Sequence, residues 1–142
     1  MAKNTNPVFG LNGVVAAIAL AAANTARDGS GSVATVATGD ANGTRISNLH
    51  ATSAQASVAA NGASVVVFWL SIDSGTTWFK LREVAFAAVT GSNTAIGQFQ
   101  ELIFPEGIIL EGTTYKLGVT KTIHAGAQDQ IHVMARGTIQ GS

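Results

Sequence analysis

Residues Gly13–Ala26, GVVAAIALAAANTA, decide how the rest of the chain is read. An apolar run that ends in small residues near the front of a chain is the core of a secretory leader, a helix, or the first strand of a fold. As a leader it is poor: the segment before it carries only Lys3 as a charge and contains Pro7 and the Gly- and Asn-marked stretch Gly10–Gly13. The apolar centre Val14–Ala23 is far shorter than the ~20 residues that span a bilayer as a helix. Alanine favours a helix, but Val14, Val15 and Ile18 are β-branched and the turn sequence DGSGS follows at Asp28–Ser32. The expectation is therefore a first strand that joins a sheet, with a helix or a cleaved leader as the alternatives.

Working outward, the chain from Gly29 onward alternates short β-rich segments with turn clusters. The β-rich pieces are SVATVAT, TRISNLHAT, SVVVFWLSI, TTWFKLREVAFAAV, TAIGQFQELIF, IILEGTT, YKLGVTK and DQIHVMARGTI. Between them lie GDANG, AANGA, DSG, TGSN, PEG and HAGAQ. Turn signals spaced by about 8–12 residues predict an all-β sandwich or barrel of about eight strands. No helical stretch of useful length competes. Towards the front, MAKNTNPVFGLNG has no period and reads as an irregular arm, residues 1–13, ahead of a single domain, 14–142.

Two strands show their faces directly. In YKLGVT, Tyr115, Leu117 and Val119 share one face and Lys116 and Thr120 the other; in QIHVMAR, Ile131, Val133 and Ala135 alternate with His132, Met134 and Arg136. Both are expected to be half-buried. Val65–Leu70, VVVFWL, is apolar without interruption, as a central strand covered on both faces would be. The turn at Asp73–Gly75 then returns the chain into TWFKLR, predicting a hairpin with Phe79 and Leu81 opposite in face to Trp78, Lys80 and Arg82.

Composition narrows the function classes. Eight basic residues balance eight acidic ones among 142, so there is no diffuse positive field to neutralise phosphates, and nucleic-acid binding is not expected. There is no cysteine, hence no disulfide framework and no thiolate chemistry. Charged residues are only 11% of the chain against a typical ~25%, and a near-neutral surface made of Ser, Thr, Asn, Gln and Gly lacks the usual protection against self-association. That balance points to an assembled protein.

Several segments in order are similar to a family of small structural proteins of tailed bacteriophages and prophages. They are ANTARDGSGSVATVATGDANGTRI at Ala23–Ile46, the hairpin VFWLSIDSGTTWFKLREV at Val67–Val84, FPEGIIL at Phe104–Leu110 and YKLGVT at Tyr115–Thr120. The resemblance spans roughly residues 20–135. It implies a virion component made in the host cytoplasm, a capsid decoration or cement protein on the head exterior, built as a jelly-roll-like β-sandwich. Its partners would be the major capsid protein and further copies of itself, in a homotrimer. A tail, collar or head-fibre role is the alternative within the virion.

Residue chemistry offers no competing enzyme. His124 and His132 are eight apart with Asp129 between them, and with His50 they match no zinc pattern. There is no GxSxG elbow, and Glu101, Glu106 and Glu111 recur around a predicted turn without forming a recognisable pair. No cofactor, metal or catalytic residue is expected, and the glycine clusters are turn chemistry. Candidate contact residues are Pro7, Val8, Phe9 and Leu11 as apolar anchors on the arm, and Trp78 and Arg82 on the hairpin, residue types enriched at interfaces. Trp78 with Lys80 and Arg82 is also the one place that suits a carbohydrate-stacking platform.

Overall fold

A computed structural model describes residues 10–54, 60–90, 97–123 and 130–140. All of its regular structure is strand: β1 (Gly10–Leu20), β2 (Ala34–Thr38), β3 (Thr44–Ala54), β4 (Ala60–Asn61), β5 (Ser64–Ser71), β6 (Phe79–Phe86), β7 (Val89–Thr90), β8 (Phe99–Leu110), β9 (Lys116–Lys121) and β10 (Gln130–Gln140). Among the described residues no helix is long and apolar enough to cross a membrane. Eight of these strands build two four-stranded sheets, β1-β10-β3-β8 (sheet I) and β2-β9-β5-β6 (sheet II), and β4 pairs with β7. The all-β sandwich expected from the turn spacing is what forms.

The order of pairing has a simple origin. β1 pairs with β10, β2 with β9, β3 with β8, β4 with β7 and β5 with β6, every pair antiparallel. The chain is thus one long two-stranded ribbon whose closed end is the β5–β6 hairpin. Rolling that ribbon sets β10 against β3 and β9 against β5, which divides it into two facing sheets. The result is a jelly roll. Its core lies between the sheets and includes Ile46, Leu49, Ala51, Val66, Phe68, Leu110, Leu117, Val119, Val133 and Ala135, all at most 1% exposed. Fully burying a side chain of the larger kind is worth about 1.5–3 kcal/mol.

Gly13–Ala26 resolves as a strand over most of its length. β1 pairs continuously with β10 from Gly13↔Thr138 to Leu20↔Ile131, with Ala16, Ile18 and Leu20 on the core side. β1 begins at Gly10, so the boundary expected at residue 13 falls inside it. Pro7, Val8 and Phe9 lie outside the described residues; Leu11 is on the backbone of β1.

Bulges account for the departures from strict alternation. Ile46 and Leu49 both point into the core although three residues apart, because the β3–β10 ladder passes from Asn48↔Arg136 to Ile46↔Gly137 and leaves Ser47 extra. Phe104–Gly107, expected to include a turn between two strands, is instead a large bulge within β8. The pairing jumps from Asn48↔Ile103 to Ile46↔Ile108, and the guanidinium of Arg45 donates to the Pro105 carbonyl at 3.1 Å.

β10 is half-buried as expected: Ile131, Val133 and Ala135 are inside, and His132 and Arg136 are exposed. The uninterrupted apolar run of β5 is covered on both faces. β9 departs from expectation. It is buried on both faces, because the β1–β2 connection and Trp78 fold over its outer side at Gly118 and Thr120.

Candidate docking face

The two outer faces of the sandwich differ in what covers them. On sheet II, Val67, Trp69 and Ser71 point away from the core yet are buried. Asn24 organises the segment that covers Trp69: its amide Nδ2 donates to the carbonyls of Ser30 and Ser32, and its backbone N–H donates to the Lys121 carbonyl at 2.8 Å. Gly29 then sits against Trp69 and Trp78, and Val33 against Gly118. Trp69 donates from Nε1 to the Thr120 hydroxyl at 2.9 Å, and Lys80 Nζ lies 5.6 Å from the Trp69 ring centroid.

The hairpin residues singled out in the sequence belong largely to this covered side. The indole of Trp78 lies on Gly118, where a β-carbon would come within 2.5 Å of Cζ3, so much of its surface is spent inside its own chain. Lys80 and Arg82 do not share a face as the hairpin pattern suggests. A bulge pairs Trp69 with Lys80 but Phe68 with Arg82, turning Arg82 to the other side. The same bulge brings Lys80 and Glu83 together at 2.7 Å, and Arg27 closes the group from the covering segment. Glu83 is held down to about 2, chiefly by the hydrogen bond from Arg27 and then by that from Lys80. Arg82 is exposed.

Sheet I presents the opposite picture. The ladders align its outward residues in three rows across four strands: Val15, Arg136, Asn48 and Ile103; Ala17, Met134, His50 and Glu101; Ala19, His132, Thr52 and Phe99. Val15, Phe99 and Ile103 are 68%, 54% and 64% exposed. The twelve positions include one arginine and one glutamate, and among the described residues no segment folds over them. A shallow depression of about 470 Å³ runs along β1, β10 and β3, lined by Ala17, Ala19, His50, Thr52, His132 and Met134. His50 and Phe99 rings meet at 5.5 Å. Asn48 donates from Nδ2 to Glu101, and among the described residues its buried Oδ1 meets no donor.

This is a surface for contact, combining apolar groups, the adaptable thioether of Met134 and an unpaired acceptor. Among the described residues no three His, Cys, Asp or Glu side chains gather as a metal site. His50 and His132 come together on the face, while His124 lies outside the described residues. Glu101, Glu106 and Glu111 are spread from the outward face of β8, through its bulge, to just past its end. Sequence reasoning missed Val15, Phe99 and Ile103. The readable signal was β1 itself, GLNGVVAAIAL, which is apolar at both its inward and its outward positions.

No protein-family model and no curated protein sequence matches the chain. Among solved structures, the fold is similar to one in the structure of infectious bursal disease virus, Gt strain, at 15% identity and a TM-score of 0.33, covering 94% of this chain and 32% of that one. This chain therefore spans about a third of the length of that protein.

Proposed function

We propose that this protein is a non-enzymatic structural component of a tailed-phage virion, a decoration protein that binds the outside of the head and braces neighbouring major capsid protein subunits. The observation that carries the reading is the outward face of sheet I. It is broad, built on four strands, poor in charge and not covered by the described part of the chain, whereas the equivalent face of sheet II is covered over its central strands β5 and β9 by the protein itself. The ordered resemblance to phage structural proteins supports the setting, and jelly rolls recur in viral coats, although they also occur in lectins. On a lattice each copy meets several subunits, so modest contacts made at high effective concentration suffice to hold a shell together. The resemblance implies a homotrimer, a grouping that a solution mass of three chains would support and a mass of two chains would exclude.

Co-sedimentation with undecorated heads tests the proposal. Phe99→Glu and Ile103→Glu alter exposed side chains, so both variants should fold, yet each should weaken attachment by about tenfold or more, as truncating central contact residues does. Deleting residues 1–9, which leaves β1 whole, tests the contribution of Pro7, Val8 and Phe9. Undiminished attachment of the two face variants would remove sheet I from the mechanism. Imaging of labelled particles distinguishes head from tail. The lectin alternative requires glycan binding that Trp78→Ala abolishes without unfolding the chain, a hard condition for an indole packed on Gly118.

A further inference from the structure

The four outer edges of the two sheets are not equally protected. β6 carries Lys80, Arg82 and Glu83, β2 is only five residues long, and β8 is broken by its bulge with Pro105 and Glu106. Charge, shortness, proline and bulging all discourage a foreign strand from adding to an edge. β1 has no charge, no proline and ample length, and its one irregularity, between Gly10 and Asn12, lies at its very start, ahead of the unbroken ladder Gly13–Leu20. It runs for eleven residues, Gly10–Leu20, without a proline or a charged side chain, and ends the sheet order next to β10. Among the described residues, no backbone hydrogen bond outside the ladders reaches it.

We propose that this edge pairs with β1 of a second copy of the chain, antiparallel about a two-fold axis, so that two copies of sheet I become one continuous sheet. A second copy is selected because its other three sheet edges are guarded, leaving its own β1 as the surface it can offer; such a contact is isologous and closes at two. Charge agrees: β1 is uncharged and the chain has a formal net charge of zero, so nothing repels the approaching copy. The geometry also sets a register. An antiparallel pair about an axis perpendicular to the sheet keeps each residue on its own face, so one residue must stand opposite its own counterpart. Full overlap makes that residue Val15, the middle of Gly10–Leu20. The pairing does not depend on the capsid role and is expected in solution.

Light scattering on the purified full chain, without particles, should give an even number of 14.4 kDa chains. Val15→Lys sets like charges opposite one another across the axis and should at least halve that mass while the circular dichroism stays unchanged, since Val15 is 68% exposed. The chain has no cysteine, so Val15→Cys reports on its own. Directly opposed residues have Cα atoms about 4.5–5.5 Å apart, within reach of a disulfide. Mild oxidation should therefore yield a covalent dimer from Val15→Cys, and much less from Ile103→Cys on the guarded edge. A wild-type particle of one or three chains, a Val15→Lys variant of unaltered mass, or equal cross-linking from the two cysteines would overturn the pairing.

Discussion

At the scale of single residues, Gly118 is an exacting position on the outer side of sheet II. Its backbone conformation suits any residue, so the constraint is space: an added β-carbon would lie 2.5 Å from Trp78 Cζ3 and 2.5 Å from Val33 Cγ1. Gly118→Ala must push the indole and the β1–β2 connection off sheet II. It should cost about 1–3 kcal/mol by urea unfolding, as overpacking does. Trp69 and Thr120 form a second such point, since both are buried and each satisfies the other. Trp69→Phe leaves the Thr120 hydroxyl without its indole donor and should cost about 1–2 kcal/mol in the same measurement.

Among the elements, the β5–β6 connection shows how a polar cluster shapes a turn. Asp73 accepts from the backbone N–H groups of Thr76 and Thr77, while Ser71 donates to it and accepts from the Gly75 N–H. Ser74 and Gly75 take positive φ, of 63° and 93°, which the turn requires. These bonds hold the Asp73 carboxyl at about 2, the Thr77 N–H contributing most. A carboxyl whose folded pKa is depressed lends stability that is complete above its unfolded pKa and disappears as pH falls through the folded one. For Asp73 and Glu83 that window runs from about 4.5 down to about 2. Melting temperature should accordingly drop across it, and Asp73→Ala should melt lower at neutral pH but lose less on acidification. Arg27→Ala tests the clasp between the β1–β2 connection and β6. The Glu83 pKa, followed by NMR titration, should rise from about 2 towards the ordinary carboxylate range, with Lys80 retaining part of the shift.

For the whole molecule, the ribbon order makes the contacts long in sequence: β1 meets β10 across nearly the full chain, and among the described residues only β5–β6 is a local hairpin. Such topologies fold in about milliseconds to seconds, so stopped-flow fluorescence of the tryptophans should show refolding in that range and not in microseconds. How much of this was legible depended on what each pattern encodes. Alternation in QIHVMAR and the unbroken VVVFWL report local burial, which side-chain type alone sets, and both read correctly. The length and turn spacing likewise determined an all-β body. Bulges did not show, because Ser47 extra on β3 and Phe104–Gly107 extra on β8 are defined only by the partner strand. The same is true of the sealed outer side of β9, and of the open face carrying Val15, Phe99 and Ile103, residues from strands far apart in the chain. Composition and period settled that these residues would form strands with a shared apolar core. Which strands became neighbours, and so which outward face was buried and which left open, was decided by rolling the ribbon, because coverage depends on distant segments that no local pattern records.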